Sequence, residues 1–296
     1  MGIKKTLTSI IASLILTVTG CQGISNLPLE VETKESGKKY AVLCTGASTR
    51  NKEEGLSDII DKNTFWIATV NAYNELIKNG HKPENIFVLY KDGKPPFDDP
   101  DLLNKISKIK KEFDGSYTNI STKKNLINLL NSLESTIMPE DNFTLYINQH
   151  GSASGAAYFE FDDSYIFGKE LGRVLKGNKS KNILIILGTC HAESFALQVN
   201  YPSISVACSK KDKYGWLDRT FSFGQFFLEE MNTLNNDKNK DGKVSPYEAF
   251  LPAKERAVQY RKDINDFLRT AYEGNGIKES ELKKMDLVPV YIERLD

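Results

Sequence analysis

The chain is predicted to fold as an α/β domain on a mostly parallel sheet. Three observations predict this. Short apolar runs bounded by polar or turn residues recur along the sequence, as buried parallel strands do. Stretches with apolar residues at helical spacing fall between them, the alternation expected of strands joined by crossover helices. Two of the runs, Phe143–Asn148 and Asn182–Leu187, lead directly into chemically capable side chains, His150 and Cys190. Ligands bind beyond the carboxyl ends of parallel strands, so these two ends mark the expected site.

In chain order, residues 1–20 are expected to be a signal peptide. Lys4 and Lys5 supply a positive start, and Ile10–Val18 form an apolar core too short to span a bilayer comfortably. Val18–Cys21 resembles a bacterial lipobox, in which Cys21 takes the lipid. An ordinary secretory signal with a chance cysteine is the alternative. Residues 21–37 are polar and unpatterned, a flexible tether. Residues 38–296 are expected to form one domain.

Within that domain Tyr40–Cys44 reads as a strand. Residues 63–79 carry Phe65, Trp66, Val70, Tyr73, Leu76 and Ile77 at helical spacing, and Asn79-Gly80 supplies the stop. Asn85–Tyr90 is the next strand, and Leu102–Phe113 and Leu126–Ile137 are helices. The histidine strand follows, then a Gly/Ala/Ser-rich loop at 151–157 and a short helix near 167–176. After the cysteine strand come a strand at Ser203–Cys208, helices at Phe221–Met231 and Tyr247–Tyr260, and a last strand at Leu287–Tyr291. About six strands result.

Charge balances at 39 basic and 39 acidic residues; removing Lys4 and Lys5 with the signal leaves 37 − 39 = −2. That is no electrostatic footprint for nucleic acid. Of the four cysteines, Cys21 is assigned to lipid. Cys44 and Cys208 close apolar runs as buried thiols. So few cysteines in an exported chain do not make a disulfide scaffold.

Cys190 is the exception. Nucleophilic chemistry at a thiol needs a thiolate, a base and donors for a developing oxyanion. A helix is expected to start near His191–Ala192, and a helix N-terminus lowers a thiol's pKa. His150 can take the thiol proton. Gly151 lets the backbone approach a substrate carbonyl, so the N–H groups of Gly151 and Cys190 are the expected oxyanion donors. His191 is disfavoured as base because adjacent helical residues do not face each other. A zinc site from His150, Cys190 and His191 would have only three ligands without the usual spacing.

The strand leading to His150-Gly151-Ser152, followed by the strand leading to Cys190, resembles the caspase-like cysteine peptidases of clan CD, and within them the legumain family. Tyr40–Ser48 resembles the family's first strand and loop, Val70–Tyr90 its first helix and second strand, and Tyr214–Ser222 its stretch after the fifth strand. The likeness covers roughly residues 38–232. It implies a three-layer α/β/α domain, His150 as general base, and Cys190 as nucleophile in an acyl-thioester mechanism. The family's specificity pocket carries an arginine in the first helix and an acidic residue two before the cysteine. Thr64 and Gly188 stand at those positions here. Asp218 is expected to keep an acidic pocket residue, with Ser209 on the same wall, and a preference for asparagine is not expected.

Asp237 to Glu248 fits the twelve-residue EF-hand loop. Asp237, Asn239, Asp241 and Ser245 stand at positions 1, 3, 5 and 9, Gly242 at 6, Val244 at 8 and Glu248 at 12, while Lys243 at 7 would offer its carbonyl. A single structural calcium ion is expected, and no cofactor is needed for the chemistry. The expected partners are a protein or peptide substrate and a membrane reached through the lipid. The expected location is that of an exported bacterial lipoprotein, periplasmic or on the cell surface. A non-catalytic calcium-binding surface lipoprotein and a transpeptidase using the same acyl-enzyme are the alternatives.

Overall fold

The computed structural model describes residues 37–46, 64–91, 118–215, 222–264 and 288–294. The chain divides into two units, Met1–Glu35 and Ser36–Asp296, and every described residue lies in the second. The expected signal, the lipid at Cys21, the helix at 102–113 and Asp218 lie outside the described residues. Among the described residues no helix is long and apolar enough to cross a membrane.

The main sheet is built from β1 (Lys39–Thr45), β2 (Ile86–Tyr90), β3 (Thr118–Asn119), β4 (Asn142–Asn148), β8 (Asn182–Leu187), β9 (Ser203–Ala207) and β10 (Val290–Arg294). Their order is β10-β9-β8-β4-β1-β2-β3. Every pairing is parallel except β10 with β9. Six strands have five to seven residues, and the seventh is the two-residue edge strand β3. The last strand begins three residues later than expected and ends in Glu293 and Arg294, polar residues that an edge strand tolerates.

The central strands are apolar almost throughout because helices cover both faces. One group of helices comprises α1 (Thr64–Lys78), α5 (Phe223–Met231) and α6 (Pro246–Asp263), with α1 packed on α5 and α5 on α6. The other comprises α2 (Lys123–Leu133), α3 (Gly168–Leu175) and α4 (Ala192–Gln198), packed in that order. At Gly224 α5 comes so close to the sheet that a Cβ would lie 2.5 Å from the Tyr146 ring. Thr122 starts α2 by accepting a 3.0 Å hydrogen bond from the Asn125 N–H, a standard N-cap.

The loop expected at 151–157 is a correction. His150–Ser152 (β5), Ala156–Phe159 (β6) and Ser164–Phe167 (β7) form a separate antiparallel three-stranded sheet. Ala157, Phe159 and Ile166 are fully buried on its inner face. Small residues with weak strand propensity pair here because docking that face outweighs intrinsic preference.

Candidate active site

β4 and β8 are neighbours in register, with Ile147 opposite Leu187, so their carboxyl ends lie side by side. The exit from β4 is clamped. Asn148 O accepts from the Gly46 N–H at 2.9 Å, and the buried Gln149 amide donates to Ser121 Oγ at 2.7 Å. His150 then opens β5 with its ring edge-on to Phe65, centroids 5.6 Å apart.

Gly151 brings the two ends together. A Cβ there would lie 2.1 Å from Cys190 O and 2.9 Å from Cys190 N. Only a residue without a side chain lets the backbone after His150 rest on the backbone of Cys190. Gly188 is a second close approach. A Cβ would lie 2.7 Å from Asn148 Oδ1, so a side chain at this position would have to displace the Asn148 amide. Thr64, where that pattern has arginine, is fully buried at the start of α1.

Cys190 sits on the turn between β8 and α4. Ser209 braces this turn: its Oγ accepts from the Ala192 N–H at 3.1 Å and donates to Thr189 O at 3.2 Å, and its carbonyl accepts from the Glu193 N–H at 3.0 Å. Ser209 is wholly buried. Its hydroxyl therefore holds the turn that carries Cys190, whereas the sequence suggested a place on the pocket wall.

The thiol also departs from expectation. Burial pushes the Cys190 thiol up, against hydrogen bonds from the main chain of Gly215, Gly151 and Cys190 itself. The first amides of α4 are engaged. Those of Ala192 and Glu193 go to Ser209, and that of Ser194 goes to His191 O. The orphan N–H groups on which helix-end activation depends are thus committed elsewhere. Complete burial pushes Cys44 and Cys208 up as well, to about 11 and about 12. Of the three described cysteines, Cys190 alone has partial exposure.

His191 is the left-handed residue that starts α4, with φ 54°. Its Nδ1 lies 2.8 Å from Lys211 O and its ring meets Tyr214 edge-on at 5.3 Å. It is turned toward the 211–214 loop, so its position, rather than helical spacing, removes it from the base role. Sequence reasoning missed Gly215, whose carbonyl lies 4.0 Å from Cys190 Sγ. A loop residue 25 positions away gives no local signal of that approach.

The loop at 237–248 joins α5, through a short turn at Leu234–Asn236, to α6. Gly242 has φ +84°, the left-handed conformation that suits glycine at the sharp turn. The Asp237 carboxylate accepts from the N–H groups of Asp241 and Gly242. Glu248 accepts from those of Lys238, Asn239 and Ser245, and with Ser245 it forms the capping box of α6. These hydrogen bonds hold the Glu248 carboxyl down, to about 2. Among the described residues no three His, Cys, Asp or Glu side chains come together as metal ligands. The donor set is nonetheless all oxygen, as calcium requires.

A family model described as the Peptidase C13 family matches residues 66–280, a span that includes β4, β8 and both of their carboxyl ends. The chain belongs to the Peptidase C13 family. This is the legumain family, and at family level the protein is a cysteine peptidase whose substrate class is protein or peptide. The match to the C13 model takes in Gly188 and the loop at 237–248. A search of curated proteins returns no match.

Proposed function

We propose that the protein is a cysteine endopeptidase in which Cys190 is the nucleophile and His150 the general base. The observation that carries this reading is the contact of the Gly151 backbone with Cys190 at the adjoining ends of β4 and β8. Burial disfavours the Cys190 thiolate, which supports giving the thiol proton to a base. His150 takes the thiol proton as Sγ bonds to the substrate carbonyl carbon. The N–H groups of Gly151 and Cys190 receive the oxyanion. His150 returns the proton to the departing amine as the peptide bond breaks, leaving an acyl-thioester. Water, with His150 again as base, releases the acid and restores the thiol. An amine in place of water would make the same acyl-enzyme a transpeptidase.

Cys190→Ala should abolish turnover and covalent labelling by peptidyl thiol reagents. His150→Ala should reduce turnover by at least ~10²-fold. Retained activity in Cys190→Ala, with labelling at Cys44 or Cys208, would sink the assignment, whereas a wild type without turnover would favour a non-catalytic surface protein. Asp218 is proposed as the acidic residue of the pocket, and with Gly188 and Thr64 in place of charges the pocket should not select strongly for asparagine.

Two further parts of the reading rest on sequence pattern. The protein is proposed to be an exported lipoprotein held to a membrane through Cys21. The 237–248 loop is proposed to hold one structural calcium ion through Asp237, Asn239, Asp241, the Lys243 carbonyl, Ser245 and Glu248. Its oxygen donors, its glycine at the sixth position and the helix starting at the tenth support this.

A further inference from the structure

The small sheet beside His150 has an unusual outer face. Antiparallel sheets exposed on one side ordinarily turn polar residues to solvent. Here His150, Tyr158 and Tyr165 are directly opposite one another across β5, β6 and β7, so the three side chains share one face. It is the outer face, because the alternating residues Ala157 and Ile166 are fully buried on the other. Tyr165 is 44% exposed, Phe167 on the same strand and face is 42% exposed, and Phe161 in the connecting turn is 56% exposed. An aromatic strip therefore starts one cross-strand step from His150, about 5 Å between Cβ atoms, and runs outward from the site.

The strip is held in place. The Tyr158 hydroxyl donates to Asp163 Oδ1 at 2.8 Å, and the Tyr158 and Tyr165 rings lie 4.8 Å apart between centroids. Ordering these rings in the free protein lowers the entropic cost of binding against them. The direction of the chemistry assigns the occupant. A base that returns its proton to the leaving amine must lie on the leaving side of the scissile bond. The peptide segment after that bond thus departs over His150, toward the row that Tyr158 and Tyr165 continue.

We propose that Tyr158 and Tyr165 form a specificity-determining ledge for an apolar side chain on the leaving side of the scissile bond. This deepens the peptidase reading and rests on it. Paired peptides that differ only in the residue after the cleaved bond, phenylalanine or glycine, provide the test. The wild type should favour the phenylalanine peptide. Tyr165→Ser should lower kcat/KM for it about threefold to tenfold relative to the glycine peptide, the scale of one aromatic contact. Tyr165→Phe should restore the preference.

The same peptides titrated against Cys190→Ala give dissociation constants that need no turnover, and the affinity ratio should fall in parallel on adding Tyr165→Ser. If the wild type cuts neither peptide but the affinity ratio depends on Tyr165, the peptidase reading fails and the ledge stands. Cleavage with no dependence on Tyr165 in rate or affinity overturns the ledge alone. So does a change in oligomeric state or vesicle binding in Tyr165→Ser with peptide selectivity intact, which would give the face to a second copy or to lipid.

Discussion

Gly151→Ala puts the proposed chemistry under direct steric test. The added Cβ would stand 2.1 Å from Cys190 O, whereas ordinary contact begins near 3.4 Å, so the strand end must retreat by about 3.4 − 2.1 = 1.3 Å. The obstacle is backbone, so no rotamer change relieves it. The Gly151 N–H, a proposed oxyanion donor, moves with the retreat, and so does His150 beside it. A misplacement of about 1 Å can cost ~10² in rate, and loss of one oxyanion donor costs ~10²–10³. Turnover should therefore fall by at least ~10²-fold. Overpacking costs about 1–3 kcal/mol, which at this size lowers Tm by only several degrees, so the domain should remain folded. Steady-state kinetics on a cleaved peptide, with circular dichroism melting as the folding control, separates the two effects. Undiminished turnover in a folded Gly151→Ala protein would refute the placement of the oxyanion site at this contact.

Three other outcomes follow from features away from the nucleophile. His81 is buried with Nδ1 3.1 Å from Leu76 O, and burial together with the charge of Lys39 holds its pKa down to about 4 from 6.5. The folded state binds the proton less readily than the unfolded one. Stability is therefore fully present above pH 6.5 and declines as pH falls toward 4, by about 3 kcal/mol for this group. His81→Gln should flatten that acid limb in urea titrations, and an unchanged limb would place the acid sensitivity elsewhere. Calcium at a hundredfold its dissociation constant should stabilise the native state by about 2.7 kcal/mol. Asp237→Ala with Glu248→Gln should remove that gain, and equal melting in calcium and in chelator would make the loop a plain acidic turn. Intact-mass measurement should find the mature chain starting at a diacylated Cys21, and an unmodified N-terminus would end the lipoprotein reading.

The legible parts of the fold were those set by burial on two faces. β4 and β8 stand out as apolar runs because helices cover both sides of the sheet there, and both site residues follow from their ends. β6 was hidden because Ala156 and Ala157 carry almost no strand preference and pair only once the inner face of the small sheet is docked. The environment of Cys190 was hidden for another reason. The helix behind it is present where expected, but Ser209, which follows β9, occupies its first amides, and sequence spacing does not reveal which donors are already spent. The role of Gly151 was legible as to residue type. Which backbone it would meet needed the tertiary contact.

The separation of β1 from β4 along the chain carries a kinetic consequence. Lys39 pairs with Asn142, 103 residues away, and β8 must then add to β4 across a further span of forty. Such pairings form only after long loops close, which makes them slow relative to local structure. The turn bearing Cys190 is incomplete until Ser209 and Gly215 have been synthesised, so the Cys190 side of the contact at Gly151 is not held before then. On the proposed reading, a nascent chain that already contains both His150 and Cys190 would still lack the assembled site. Whatever bond-breaking these residues perform starts only once the polypeptide has grown past residue 215 and its distant segments have met. On that reading, the order of assembly would itself keep the thiol from acting on the unfolded chain that carries it.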